Sequence, residues 1–195
     1  MCIISKAIAA LLKMKKRIKE VTKKILNYKK SASQWDDLFD VTFDKKEQED
    51  DEKEPFKKKY AIAFTPRSGS TWLGDVLLKT NRMGKPMEWF NASFPGLKKR
   101  IAEYQSNSIE DYYCAIQNDK SSKNRVFGME ITWFQAQEVF NYIGNDTIFD
   151  DIEQWFWLRR KDFLAQGVSL FKAVESGKFH SVDKKDVTPI AYELN

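Results

Sequence analysis

Residues 60–71, in one-letter code YAIAFTPRSGST, contain the pattern that decides the fold. The first six residues form a short apolar run of the kind that predicts a β-strand. Residues 66–70 follow with proline, serine and glycine, which predict a loop. Residues 71–80 then place apolar side chains at helical spacing, which predicts a helix. The side chains expected on the buried face of that helix are Trp72, Leu73, Val76 and Leu77.

The rest of the chain continues this alternation of strands and helices. Buried strands are predicted at 126–131 and 154–158, and helices at 109–117, 134–142 and 162–176. Strands that alternate with helices are typical of a parallel sheet flanked by helices, so we predict an α/β fold.

Charge is unevenly distributed along the chain, whose formal net charge is +5. Residues 1–30 carry ten Lys or Arg and one acid, residues 31–59 carry ten acids and six bases, and residues 60–195 carry 17 of each. We therefore expect a basic amphipathic helix over 1–30, a charged linker over 31–59 and an α/β domain over 60–195. Because the excess charge belongs to the first part, it does not by itself indicate nucleic-acid binding.

Residues 3–29 repeat apolar side chains at spacings of three and four, which predicts one long amphipathic helix. Three partners for its apolar face stay open. The helix packs on its own domain or on a partner helix, it lies on an anionic membrane surface through its lysines, or it binds nucleic acid. We rank nucleic acid last and expect no such partner, and the oligomeric state is open.

Composition excludes several classes of protein. Two cysteines, Cys2 and Cys114, exclude a disulfide scaffold and a cysteine-based zinc site. Their number favours a cytoplasmic protein, with peripheral membrane attachment left to residues 3–29. The single histidine, His180, excludes His-rich metal chemistry, and no metal is expected. No apolar run reaches 18 residues, which excludes an ordinary membrane-spanning helix.

The loop before the first predicted helix is a candidate anion site. Backbone N–H groups and the positive end of the helix dipole converge at such a junction, and Gly69 permits close backbone approach. The loop's own donors for phosphate or sulfate oxygens are Arg67, Ser68, Ser70 and Thr71. The alternative is a Ser/Gly loop that only caps the helix. Serine stands where nucleotide triphosphatases have a lysine, and no Gly-x-Ser-x-Gly nucleophile elbow occurs, so those two sites are excluded.

A second basic cluster follows the strand predicted at 154–158. Arg159, Arg160 and Lys161 come at its carboxyl end, which is where α/β sheets bind ligands. Cations at a helix start oppose the helix dipole, so a plain solvated helix start does not account for them. Ser169 lies about two and a half turns further on, and it shares an anion with Arg160 if the helix folds back toward the strand end.

Five segments, in this order, carry a resemblance to a known family: residues 64–71 (FTPRSGST), 84–90 (GKPMEWF), 127–133 (FGMEITW), 157–162 (WLRRKD) and 165–173 (AQGVSLFKA). They resemble the sulfotransferases that use 3′-phosphoadenosine 5′-phosphosulfate, in the branch of the bacterial trehalose sulfotransferases. The resemblance implies a central parallel sheet like that of P-loop proteins. It also implies sulfuryl transfer to a hydroxyl group of a carbohydrate or glycolipid acceptor.

The resemblance implies roles for individual residues as well. Residues 67–71 hold the 5′-phosphosulfate of the donor, and Arg160 and Ser169 hold its 3′-phosphate. Glu88 is the general base on the acceptor hydroxyl, with His180 as the fallback. Residues 85–90 line the acceptor pocket, and those singled out there are Lys85, Glu88, Trp89 and Phe90, with Trp89 or Phe90 stacking on a sugar.

Two departures from the family pattern bear on activity. Glu130 stands where many relatives carry lysine, and a carboxylate near a polyanionic donor repels it unless the carboxylate points away or is paired. Relatives also continue past the point that corresponds to Asn195, so a C-terminally truncated form is expected. A non-catalytic binding or membrane-associated relative is therefore the alternative function. A phosphotransferase is a weaker third one, because the P-loop lysine is missing.

Overall fold

The structure is a computed structural model that describes residues 32–44 and 54–177. The helix predicted over 3–29, His180 and residues 45–53 of the predicted linker lie outside the described residues. The described chain divides after Lys161 into two compact units. Its elements, in chain order, are α1 (Ala32–Leu38), β1 (Lys58–Phe64), α2 (Ser70–Lys79), α3 (Leu97–Glu103), α4 (Ile109–Lys120), β2 (Val126–Thr132), α5 (Trp133–Ile143), a 3₁₀ turn (Thr147–Phe149), β3 (Gln154–Leu158) and α6 (Phe163–Ser176).

A three-stranded parallel sheet in the order β2–β1–β3 is the centre of the first unit. Phe64 pairs with Thr132 on one side and with Leu158 on the other, so all three strands end at the same edge. The chain goes from β1 to β2 on one side and then returns to β3 on the other side. The carboxyl end of β1 is therefore a topological switch point, where open α/β sheets bind ligands. The predicted α/β fold is confirmed.

β2 is buried at all seven positions, and its side chains alternate between two layers. Phe127, Met129 and Ile131 belong to the larger core, which also contains residues of α1, α3, α4 and α5. Val126 belongs to a smaller cluster on the opposite face, where α2 covers the sheet. Glu130 shares that face because it lies an even number of positions from Val126.

The helix predicted at 71–80 is confirmed as α2, but two of the four side chains assigned to its buried face were placed wrongly. Trp72 is 71% exposed and Val76 is 39% exposed. Leu73 and Leu77 do pack against the sheet, next to the buried Gly74. The helix therefore contacts the sheet along a narrower stripe than its apolar residues predicted.

β3 has the predicted bounds but not the predicted burial. Trp155, Phe156 and Trp157 are 45%, 50% and 73% exposed. Within the described residues β3 pairs with β1 alone, so it is an edge strand of the sheet. A short apolar run predicts a strand but does not say whether anything covers its faces.

Two short helices were not predicted. α1 lies inside the stretch assigned to the charged linker, yet its Trp35 is fully buried in the larger core and its ring stacks on Phe39. α3 contributes Leu97 and Ile101 to the same core. Seven-residue helices with so few apolar anchors show too little of a helical period to be recognised from sequence.

The described part of the second unit is α6 with its two caps. Asp162 Oδ1 accepts the N–H of Ala165 at 2.8 Å, and Gly177 ends the helix with φ 68°. The helix predicted at 162–176 is thus confirmed to within one residue. Its Phe163 and Leu164 are 66% and 81% exposed, whereas Ala173 is buried.

Candidate functional site

The loop after β1 has a backbone suited to an anion. Arg67 and Gly69 have φ of 66° and 98°, and Ser68 between them is not left-handed. The N–H of Ser68 donates to the Thr65 carbonyl at 3.2 Å, which closes a turn over residues 65–68 just before α2. A Cβ built on Gly69 would meet nothing within 4 Å, so the space over this backbone is open.

The helix that follows this loop starts without a side-chain cap. Ser108, Thr132 and Asp162 each accept an N–H in the first turn of α4, α5 and α6, but α2 begins at Gly69 with no such bond and with no acid in its first turn. Ser68 Oγ is buried and has no hydrogen-bond partner within the described residues. Uncapped N–H groups and an orphan hydroxyl fit phosphate or sulfate oxygens. α3 also begins at a glycine without a side-chain cap, so the anion site and the alternative that this loop only caps the helix both stay predictions.

The second basic cluster lies at the same sheet edge. Arg160 is exposed and follows β3 by two residues, and the register that pairs Phe64 with Leu158 brings that strand end beside the loop. Arg159 lies over the ring of Trp157, 5.7 Å from its centroid. Ser169 is a half-buried residue of α6 in the second unit, and its shared role with Arg160 stays a prediction.

Glu88 lies beside β2, on the side of the sheet opposite to β3. It forms an isolated parallel bridge with Glu130 of β2, where the N–H of Glu130 donates to the Met87 carbonyl at 2.8 Å. Glu88 Oε2 accepts one hydrogen bond from Gln135 Nε2 at 2.7 Å and another from Asn91 Nδ2 at 3.0 Å. These two donors fix the carboxylate and leave its Oε1 for a ligand.

Gln135 was not predicted as a site residue, and it ties Glu88 to the end of β2. Gln135 Oε1 accepts the N–H of Thr132 at 2.8 Å, and the N–H of Gln135 donates to Thr132 Oγ1 at 3.2 Å. This reciprocal pair is a capping box that starts α5. The Thr-x-x-Gln spacing is visible in the sequence, so it was a usable signal for this position.

Glu130 neither points away from the site nor pairs with a cation among the described residues. It is 4% exposed, and the Ser70 side chain is near enough to its carboxyl group to affect its pKa. Burial raises the pKa of Glu130 to about 7, and the charges of Glu88 and Asp75 act in the same direction, while the Ser70 side chain opposes them. A buried acid therefore lies between the anion loop and Glu88.

The model of one protein family, described as Stf0 sulphotransferase, matches residues 59–191. The chain belongs to this family. The matched range of the sulfotransferase contains the loop, Glu88 and the three strands except for Lys58, and it confirms the family predicted from the motifs. No curated protein matches the chain.

In this sulfotransferase the predicted stacking on an acceptor sugar is wrong for Trp89 and Phe90. They are 1% and 0% exposed, and Phe90 packs edge-on against Tyr113 and Phe149 in the larger core. The Arg100 guanidinium lies over the Trp89 ring at 4.9 Å, so neither ring offers a free face. Lys85 is half-buried, and its predicted acceptor role stays a prediction.

Two further findings concern residues 32–44 and 54–177 of this sulfotransferase alone. No three His, Cys, Asp or Glu side chains in these ranges converge as a metal site. No helix in the same ranges is both long and apolar enough to cross a membrane.

Proposed function

We propose that this protein transfers a sulfuryl group from 3′-phosphoadenosine 5′-phosphosulfate to a hydroxyl group of a carbohydrate or glycolipid acceptor. One observation carries the proposal: an uncapped loop follows β1 at Phe64, and the hydrogen-bonded Glu88 carboxylate lies beside Glu130, two residues before the end of the neighbouring strand β2. Sulfuryl transfer needs both an anion site and a base for the acceptor hydroxyl. The family supports the sulfuryl chemistry, and the motifs support this donor and a sugar acceptor.

The donor's charge is held by residues 67–71 in this proposal. The N–H groups at the start of α2 and the buried Ser68 hydroxyl bind the 5′-phosphosulfate, and the family motifs assign the 3′-phosphate to Arg160 and Ser169. When bound, the donor supplies the sulfuryl group, whose bond to the phosphate oxygen breaks as the acceptor oxygen bonds to sulfur. Such a displacement depends on positioning and on neutralisation of charge, which fixed donors provide.

Glu88 removes the proton of the acceptor hydroxyl. Gln135 and Asn91 occupy its Oε2, so the proton goes to Oε1. A positioned carboxylate base contributes about 10²–10⁴-fold to such a rate. Lys85, three residues before Glu88, lines the acceptor pocket in this proposal.

The test combines calorimetry with a sulfation assay on the full chain. We expect 3′-phosphoadenosine 5′-phosphate to bind at about micromolar concentration, and labelled sulfate to appear on at least one member of a panel of sugars and glycolipids. Glu88→Gln should lose about 10²-fold or more of the turnover and keep nucleotide binding. Glu110→Gln, at an exposed acid of α4, is the matched control and should keep both.

Two results would decide against the proposal. A folded protein that does not bind the nucleotide excludes the donor site at residues 67–71. Binding without transfer to any acceptor supports the alternative, a non-catalytic relative that keeps the anion site. Full turnover in Glu88→Gln would remove Glu88 from the reaction and leave the donor site in place.

A further inference from the structure

Glu130 is an acid in the interior of the sheet. It lies on the face of β2 that α2 covers, and it is 4% exposed. Gly74 of α2 makes room for it, because a Cβ built there would stand 2.6 Å from Glu130 Oε1 and 3.0 Å from the Pro86 carbonyl oxygen. No other residue type would allow the helix to approach this carboxyl group so closely.

The surroundings of Glu130 do not suit a negative charge. Its Oε1 is buried and has no hydrogen-bond partner within the described residues. The titratable groups that face it are Glu88 on the bridged segment, Asp75 on α2 and Tyr60 on β1. The other residues of β2 and the first turn of α5 contribute no further titratable group. A carboxylate oxygen without a donor, next to other acids, is more stable with a proton on the group.

Ser70 connects this acid to the anion loop. Its buried side chain lies near the Glu130 carboxyl, and its backbone N–H is the first of α2, at the uncapped helix start. Only Ser70 would therefore separate a charge on Glu130 from an anion held by the loop. The pKa of Glu130, which burial raises to about 7, agrees with a proton that leaves and returns near neutral pH.

We propose that Glu130 is the proton-linked part of the anion site: its carboxyl group is protonated when the loop holds an anion, and its ionised form lowers the affinity for that anion. The proposal rests on the proposed donor site at residues 67–71. Binding of the nucleotide above neutral pH then takes up a proton from solvent onto Glu130. The affinity falls by up to about tenfold for each pH unit above the midpoint, because one proton is linked to binding.

Calorimetry with 3′-phosphoadenosine 5′-phosphate tests the linkage at about pH 8, in two buffers of different ionisation enthalpy. The dependence of the heat on the buffer gives the number of protons taken up. We expect about half a proton or more in the wild type and a clear loss of this uptake in Glu130→Gln. Glu110→Gln should keep the wild-type uptake. Any proton taken up by the nucleotide itself is common to all three proteins and cancels in the comparison.

Equal uptake in the wild type and Glu130→Gln would overturn the proposal, as would no uptake in the wild type. Absence of binding would overturn the linkage together with the proposed donor site. A ¹³C NMR titration of the glutamate carboxyl groups in the ligand-free wild type separates these cases, because it needs neither ligand nor a folded variant. A resonance that titrates near pH 7 supports the protonated acid. Titration of every glutamate near the ordinary value of about 4.3 overturns it.

Discussion

β2 and β3 both pair with β1 in parallel, but β2 is buried at all seven positions whereas four of the five β3 positions are exposed. β2 has α2 on one face and the larger core on the other, and the segment of Met87 and Glu88 lies along its outer edge. The outer edge of β3 has no strand partner among the described residues. The difference shows that the layers around a strand, rather than its own apolar residues, decide its burial. It also accounts for the raised pKa of Glu130, since only a covered strand removes an acid from water.

The largest expected effect is a loss of stability, and it should differ between two phenylalanines in these strands. Phe127 is fully buried in β2 and Phe156 is 50% exposed in β3. Phe127→Ala should lower the free energy of unfolding by about 3–5 kcal/mol, because it leaves a cavity in the core. Phe156→Ala should cost about 1 kcal/mol, since it removes a half-exposed ring. Urea denaturation of both variants measures the difference, and equal losses would contradict the comparison.

The second effect is the pH dependence of stability that comes from Glu130. Because its folded pKa is raised to about 7 from 4.5, the folded state binds the proton more tightly. Its stabilising contribution is therefore complete below about pH 4.5 and is lost as the pH rises through about 7. Allowing for partial screening by solvent, we expect a loss of about 2 kcal/mol that Glu130→Gln removes.

Denaturation of the wild type and Glu130→Gln across this range isolates that effect. Asp119 and Asp151, whose pKa values are lowered by hydrogen bonds, contribute with the opposite sign and equally in both proteins. Parallel stability profiles for the two proteins would show that Glu130 titrates as an ordinary acid.

The third effect compares the helix caps that follow the two strands. Thr132 is 8% exposed and forms the capping box of α5, whereas Asp162 is an exposed cap of α6. Thr132→Ala should cost about 1–2 kcal/mol, near the upper end for a cap, because it leaves the buried backbone N–H of Gln135 without its acceptor. Asp162→Ala should cost about 0.5–1 kcal/mol. Thermal unfolding gives both values, and the reverse order would mean that the box adds no stability.

The smallest effect is expected at the most exposed position of β3. Trp157 is 73% exposed, so Trp157→Ala should change the free energy of unfolding by no more than about 0.5 kcal/mol. A loss of about 2 kcal/mol or more in the full chain would show that the ring is covered in solution. That result would remove the contrast between β2 and β3.

Sequence patterns were sufficient for the three strands, for the loop and for four helices, but not for α1 and α3. β1, α2, β2 and α4 follow from apolar periods, and Gly69 between serines marks the start of α2. Burial was predicted well for β2 and badly for β3. The same kind of apolar run occurs in a strand that other layers cover on both faces and in a strand that they leave exposed. The bridge between Glu88 and Glu130 joins residues 42 positions apart, and no local pattern encodes such a pair.

The capping role of Gln135 could be predicted from the sequence, whereas the role of Gly74 could be predicted only in part. The capping-box spacing from Thr132 to Gln135 can be read from the sequence. A glycine inside a helix costs up to about 1 kcal/mol, which points to a close approach, but it does not tell what approaches. Here it is the carboxyl group of Glu130.

The six tryptophans of the chain divide into two optical groups. Trp35 and Trp89 lie in the core at 0% and 1% exposure, while the others, which are Trp72, Trp133, Trp155 and Trp157, are at least 45% exposed. The core pair should emit at shorter wavelength and resist aqueous quenchers until the protein unfolds. Trp72, in the first turn of α2, lies beside the anion loop. Its quenchable emission is therefore a built-in signal for ligand binding that needs no label.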